Sequence, residues 1–393
     1  MSAVTGQLPT VPVSTPSVVA VAPAPATDAR LTGEVVYLYA FDIAYEFTRE
    51  TIRELLGQPV AQFVPDASKR SPRQSFFRPQ MVRLPPVERF GPRGPVRIER
   101  QVKLLPVGAI SITVRVPFAV EKIDDLVCYH DLRFSDGSWL HDEVRDLAEQ
   151  VRQELAPSLI RPVRQLGDEE AYTVFCFNAP VRNPAGQPLR AEDWLHDNRR
   201  AIASLLTEEP APRLLSQQEA DESSARYYSY YESDIVVLDW DAAVIVDEPR
   251  FFDEVLYIME LANLQLAELE AYDRILDEAV ERSYRDLATR RWTSLRLNGT
   301  QRELREIRID LARLQDELNN ITKFFGDWHL ARIYQGLATR FHLQEWQKSI
   351  DEKLRTLDDL YQILRQDQTN LWMIILEASI VGLFVLDIVK SLM

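Results

Sequence analysis

The distribution of proline constrains the fold of this chain more than any other feature. All 23 prolines lie at or before Pro249, so the last 144 of the 393 residues contain none. Proline removes a backbone hydrogen bond, and its ring clashes with the preceding turn of a helix. A proline-free stretch of this length is typical of long helices joined by few turns.

The apolar residues of this stretch follow a heptad, which predicts a helical hairpin or coiled-coil stalk over residues 250–370. The first helix carries the pattern at Phe252, Val255, Met259, Ala262, Leu266, Leu269, Leu276, Val280 and Leu287, and the last helix carries it at Leu343, Ile350, Leu357, Leu364 and Leu371. Asp273 interrupts the first series. A middle helix is predicted at 300–322, and self-association through the stalk is the expected use of the heptads.

The end of the chain predicts a transmembrane helix at 371–390. Its sequence, LWMIILEASIVGLFVLDIVK, begins with 19 largely apolar residues, or roughly 28 Å of helix against a hydrocarbon core of about 30 Å. Trp372 is placed as an interfacial aromatic residue, and Lys390 can reach the opposite interface. This arrangement predicts a single-pass tail anchor with the bulk of the chain on the cytoplasmic side.

Four further residues define how this segment would pack. Glu377 and Asp387 are acids, and an acid near the middle of a span costs roughly 2.5–3.5 kcal/mol, so Glu377 is expected to face a partner helix or a polar cavity. Ala378 and Gly382 form a small-xxx-small pair that lets a second helix approach closely. The alternative is an amphipathic C-terminal helix buried inside an oligomer.

The first 249 residues predict two units. Residues 1–29 are rich in Pro, Ala and Val and predict a disordered tail, while 30–249 predict an α+β domain with a mostly antiparallel sheet. Strands are predicted at 34–45, 96–104, 109–116, 171–177 and 234–246, the last turning at 239–241, and helices at 51–57, 118–130, 138–156 and 192–206.

A basic, proline-rich stretch runs from Lys69 to Lys103. Such a cluster can contact anionic lipid headgroups or RNA, or it can be a long solvated loop over the sheet. Its prolines argue against a recognition helix, and the formal net charge of −15 argues against nucleic-acid binding by the whole chain.

No constellation typical of catalysis stands out. Two cysteines, Cys128 and Cys176, are too few for a disulfide framework and favour a reducing compartment. His130 and His141, each followed by Asp, suggest a metal-dependent hydrolase as an alternative, but metal ligands must converge with defined geometry. Glycine-rich phosphate loops and nucleophile elbows are absent from the sequence, and no cofactor or metal is predicted.

The order of these parts resembles the required-for-meiotic-nuclear-division family. The resemblance is carried by VVYLYAFDIAYEFTRETIRELLG (35–57), SDIVVLDWDAAVIVDEP (233–249), FFDEVLYIMELANLQLAELEAYDRIL (251–276) and LWMIILEASIVGLFVLDIV (371–389). It implies a tail-anchored membrane protein without attributed catalytic residues, and mitochondrial members are associated with organelle translation. The layout also looks like that of CorA-class magnesium channels, which need two spans and a Gly-Met-Asn loop.

The sequence therefore predicts a non-enzymatic, membrane-anchored scaffold or interaction protein that forms homo-oligomers and docks unidentified protein partners. An oligomeric ion-transport or sensing assembly that uses Glu377 is the first alternative. The metal-dependent hydrolase is the second.

Overall fold

The computed structural model describes residues 31–48, 52–63, 79–105, 108–163, 166–167, 169–183, 186–289, 305, 308–309, 312 and 328–392. The tail predicted at 1–29 lies outside these residues, as does most of the helix predicted at 300–322. Both expectations stay predictions.

The strands of the described residues form one large sheet and two small ones. Their bounds are β1 Leu31–Asp42, β2 Ala44–Phe47, β3 Glu54–Leu55, β4 Gln58–Pro59, β5 Ala61–Gln62, β6 Gln80–Gly91, β7 Gly94–Leu105, β8 Ala109–Val120, β9 Leu159–Pro162, β10 Glu170–Asn178, β11 Tyr227–Tyr228, β12 Ile235–Leu238 and β13 Ala242–Asp247. The large sheet has nine strands in the order β11-β12-β13-β10-β1-β8-β7-β6-β5.

Neighbouring strands of this sheet are antiparallel except for β10 and β13, which are parallel. The predicted α+β domain with a mostly antiparallel sheet is thereby confirmed. Central strand β1 reads as a nearly continuous apolar run because both faces of the sheet are covered. Gly33 is required there, since a Cβ atom would lie 1.8 Å from the carbonyl oxygen of Cys176 on β10.

Seven helices surround the sheet in the described part of the chain. They are α1 Leu140–Leu155, α2 Ala191–Asp197, α3 Arg199–Leu206, α4 Gln217–Ser223, α5 Pro249–Thr289, α6 Trp328–Arg340 and α7 Leu343–Leu392. Short 3-10 helices lie at Ile123–Tyr129, Ala156–Ser158 and Pro212–Leu214. Helices α1 to α3 cover one face of the sheet and α5 to α7 cover the other.

The face under α1 to α3, which we call the first face, holds the larger apolar core. Alternate residues of the strands point into it, including Ile110, Ile112 and Val114 of β8, and all three are fully buried. Val144 and Val151, one face of α1, close this core from above. The period of two on the strand and of about 3.6 on the helix brings these side chains together.

The opposite face, which we call the second face, carries the predicted heptads. Phe252, Met259 and Leu269 of α5 are buried in one cluster with sheet residues and with Ile350 and Leu357 of α7. Asp273, which interrupts the heptad, lies 2.7 Å from the Nζ atom of Lys353 on α7. The interruption therefore places an ion pair between the two long helices.

Two predicted helices are wrong. Residues 54–59 form a β-hairpin, because Leu56 and Gly57 adopt the positive φ angles of a tight turn. The helix predicted at 118–130 is the end of β8 followed by a 3-10 helix. Within the basic stretch, β6 is a strand even though it contains Pro85 and Pro86, because the pairing with β7 shifts between Leu84 and Val87.

The predicted transmembrane helix is also wrong. Among the described residues, no helix combines the length and the apolar character needed to cross a membrane. The segment is helical as the end of α7, and Glu377 interrupts its run of large apolar side chains. The membrane anchor and the single-pass location with the bulk of the chain on the cytoplasmic side are not supported.

Candidate functional site

The residues predicted to form the membrane anchor all lie on the last part of α7. Glu377, Ala378, Gly382 and Lys390 are exposed. The backbone of Trp372 and Asp387 is helical, and their side chains lie outside the description. The structure therefore places these residues on one helix, and the four described ones are exposed to solvent.

The same part of α7 exposes a run of large apolar side chains, which we call the apolar arm (residues 373–384). Its members are Met373, Ile374, Ile375, Leu376, Ile380, Val381, Leu383 and Phe384, with exposed fractions from 46% to 68%. At 100° per residue, seven of them cover about half of the helix circumference, and Glu377 lies within that arc. Ala378 and Gly382 occupy the opposite side.

The second face holds a buried polar cluster that the sequence analysis did not identify. The Nζ atom of Lys103 on β7 donates to one carboxylate oxygen of Glu260 on α5, and the Ser111 hydroxyl on β8 donates to the other. All three residues are buried, and the Phe63 ring centre lies 4.2 Å from Nζ. A buried ion pair needs such extra hydrogen bonds to offset the loss of hydration.

A cleft of about 320 Å³ opens beside this cluster, between α5 and strands β6 to β8. Its walls include Arg83, Arg97, Arg115 and Asp253. The Arg115 guanidinium donates to Glu34 at 2.9 Å and also pairs with Asp253, so it is fixed in place. The cleft therefore combines a fixed interior with charged side chains at its mouth.

A sequence signal for this site exists in β7 and β8. The side chains that face α5 are polar, namely Lys103 in β7 and Ser111, Thr113 and Arg115 at alternate positions in β8. The β8 residues between them lie on the first face and are apolar. Burial of both faces normally produces continuous apolar runs. Polar residues at every second position of an internal strand therefore indicate a buried polar site under the covering helix.

A pair of carboxyl groups lies further along the same face. Glu170 on β10 shares a hydrogen bond with Glu270 on α5, and burial together with this neighbour raises the pKa of Glu170 to about 8. Asp42 at the end of β1 has a pKa raised by burial to about 6, opposed by a backbone hydrogen bond and by Arg274. Glu170 and Asp42 can therefore hold a proton near neutral pH.

The histidines proposed for a metal-dependent hydrolase do not converge. His130 contacts the Leu205 carbonyl through Nε2 and lies 2.9 Å from Glu208 through Nδ1. His141 lies 2.7 Å from Glu169. Among the described residues, no group of three or more His, Cys, Asp or Glu side chains is arranged to hold a metal ion. Each histidine instead lies beside a single glutamate on the side of α1 and α3.

Comparison with known proteins places the chain in a family. The family described as "Uncharacterized protein MJ0711, N-terminal domain" matches residues 32–253, which include the nine strands of the large sheet except for Leu31 at the start of β1. The chain belongs to this family. The MJ0711 N-terminal domain family thus covers the α+β domain and the first residues of α5. Membership of the required-for-meiotic-nuclear-division family is not confirmed.

One relative in this family is the uncharacterized protein MJ0711 of Methanocaldococcus jannaschii. It is 27% identical over 223 residues, which are 57% of this chain and 66% of the relative. The match thus spans slightly less than two thirds of the relative's length. No solved structure matches the chain. The MJ0711 family name assigns no activity, so the function rests on the geometry.

Proposed function

We propose that this protein is a non-enzymatic interaction protein that self-associates through the apolar arm of α7. The observation that carries the proposal is the contrast within one 50-residue helix. Near its start, Leu343, Ile350 and Leu357 are buried against the rest of the molecule. Further along, the apolar arm exposes eight large apolar side chains that no other described element covers.

The size of the exposed surface supports a second copy of the chain as the partner. Full burial of one large apolar side chain contributes about 1.5–3 kcal/mol, so burying the exposed half of each contributes on the order of 1 kcal/mol. Burial of the seven side chains in the arc of each copy is comparable with the cost of association, which is about 4–15 kcal/mol. Pairing two arms also makes the apolar arc of one helix the partner of an identical arc.

Glu377 supports a specific assembly. A polar residue within an apolar helix interface sets register and oligomeric state at a cost in stability. We infer that Glu377, which lies inside the apolar arc, has this role. Ala378 and Gly382 on the opposite side of the helix leave room for a further helix.

The proposal is also supported by the resemblance to the required-for-meiotic-nuclear-division family. It is compatible with an interaction role, because that resemblance implies no catalytic residues.

Sedimentation of the full chain tests the proposal. We expect an oligomer at micromolar concentration and a monomer for the triple variant Leu376→Gln, Leu383→Gln, Phe384→Gln, with the circular dichroism spectrum of the wild type. The matched control is Phe90→Gln with Leu214→Gln, two exposed apolar residues away from α7. A monomeric wild type, or a control that dissociates the oligomer equally, overturns the proposal.

A further inference from the structure

The cleft on the second face is built from alternate strand positions and one side of a helix. Gln101 and Thr113 are directly paired across β7 and β8, so their side chains share the face that α5 covers. From α5, Asp253, Tyr257 and Glu260 follow one another at spacings of four and three residues, which aligns them on one side of the helix. The cleft volume of about 320 Å³ lies within the range of small-ligand sites.

The inner end of the cleft carries two hydroxyl groups that have no hydrogen-bond partner in the described part of the chain. The Oγ1 atom of Thr113 and the hydroxyl of Tyr257 are buried, and neither makes a hydrogen bond with any described residue. Thr113 is 2% exposed. Buried polar groups are normally paired, because leaving one unpaired is costly. Two unpaired hydroxyls in the same cleft therefore indicate that a ligand's polar atoms complete the site.

The charge at the cleft indicates the sign of the ligand. Five basic residues line it, Arg83, Arg97, Arg100, Lys103 and Arg115, against three acidic ones, Glu99, Asp253 and Glu260, which gives 5 − 3 = +2. The whole chain carries −15. A positive cleft on an acidic protein attracts small anions.

The bases differ in how they are held. Lys103 is neutralised by Glu260, and Arg115 by Glu34 and Asp253. At the mouth, Arg83 makes no ion pair with a described residue, and Arg97 lies 3.6 Å from Glu99 in an exposed pair of little strength. Arg83 and Arg97 are therefore exposed side chains available to an incoming anion, and arginine forms bidentate hydrogen bonds with phosphate.

The walls fit an uncharged body attached to that anion. The rings of Phe63 and Tyr257 lie 5.3 Å apart, and Leu84 and Leu256 line the same cleft. Ligand sites commonly combine such apolar walls with a few polar groups that fix orientation.

We propose that this cleft binds a small phosphate ester the size of a mononucleotide, with its phosphate on Arg83 and Arg97 and its body against Phe63, Tyr257 and the Thr113 hydroxyl. The site lies apart from the apolar arm, so this binding is independent of self-association.

Calorimetric titration of the full chain tests the proposal with two phosphate esters, AMP and glucose 6-phosphate, and with their phosphate-free counterparts, adenosine and glucose. We expect at least one ester to bind with a Kd below about 1 mM and its counterpart to bind at least tenfold more weakly. The double variant Arg83→Ala, Arg97→Ala should weaken the ester at least tenfold. Thr113→Val should weaken it several-fold while the protein remains folded.

The matched control is Arg200→Ala, an exposed arginine on α3 beside the first face. Its affinity should equal that of the wild type. The proposal is overturned if neither ester binds below the millimolar range, if the phosphate-free counterpart binds equally well, or if Arg200→Ala weakens binding as much as the double variant does. An unchanged affinity in the double variant overturns it as well.

Discussion

The two faces of the sheet differ in chemistry although both are buried. On the first face, β7 and β8 bury aliphatic side chains, among them Val102, Leu104, Ile110, Ile112, Val114 and Val116. On the second face the same two strands present Lys103, Ser111, Thr113 and Arg115. Three of these four polar residues are at most 4% exposed. Burial alone therefore does not determine composition, and the face that keeps polar groups inside is the one with a cleft.

This comparison predicts opposite responses to substitution. Apolar contacts on the first face contribute to stability in proportion to the surface they bury. Polar groups on the second face contribute only while every partner is present. Removing one partner of a buried polar contact should therefore lower the free energy of unfolding more than truncating an apolar side chain of similar size.

The largest expected effect is that of Glu260→Leu. The change leaves the Lys103 ammonium buried without its carboxylate, and such a loss costs about 3–5 kcal/mol. Urea unfolding followed by circular dichroism measures it. Adding Lys103→Met should recover most of the lost stability, since a well-packed apolar pair can replace a buried ion pair. A cost below about 1 kcal/mol for Glu260→Leu alone would contradict the described pairing.

On the first face, Ile112→Ala should cost about 3 kcal/mol. Ile112 is fully buried, and truncation to alanine leaves a cavity that the surrounding residues fill only in part. The same urea titration measures the loss. Calorimetry with AMP or glucose 6-phosphate should show unchanged affinity in the folded variant, because the side chain points away from the cleft. Weakened binding would mean that the two faces are coupled.

The carboxyl pair of the second face should make stability depend on pH. The pKa of Glu170 is raised from 4.5 to about 8 in the folded protein. Between these two pH values the folded state therefore holds a proton that the unfolded state has lost. Stability from this group is full below pH 4.5 and falls as pH rises to about 8. Glu170→Gln should remove about 2 kcal/mol of that fall, since solvent screens a half-buried pair.

Urea unfolding at pH 5 and pH 9 measures this difference, with the exposed Glu222→Gln as control. The control should show the same difference in the free energy of unfolding between the two pH values as the wild type. If Glu170→Gln leaves the difference in the free energy of unfolding between pH 5 and pH 9 unchanged, the carboxyl pair does not cause the pH dependence.

The sequence predicts the elements of the first face well, for a physical reason. Strand 171–177 and helix 138–156 bury one uniform type of side chain, so their periodicity survives in the sequence. Phe252, Met259 and Ile350 are buried as the heptads predict, because apolar spacing depends only on which side of a helix is covered. The heptads did not indicate that the cover is the sheet itself.

The candidate site was not predicted, and the membrane anchor was predicted wrongly. Lys103 and Glu260 lie 157 residues apart, so their pairing is a property of the fold and leaves no local motif. The helix predicted at 51–57 failed because Leu56 adopts a left-handed conformation, which a leucine rarely signals. The apolar arm carries the large apolar side chains typical of a span, but no helix among the described residues is long and apolar enough to cross a membrane.

The smallest expected effect sharpens the comparison most. Thr113→Val exchanges a buried hydroxyl without a partner for a methyl group of nearly the same shape. Since the hydroxyl makes no hydrogen bond with a described residue, the variant should be as stable as the wild type or more stable by about 1 kcal/mol. Urea unfolding without ligand measures this difference. A loss above about 1 kcal/mol would show that the hydroxyl supports the fold. Equal or higher stability together with weakened phosphate-ester binding would mean that the second face keeps a polar group for its ligand, at a cost that the first face avoids.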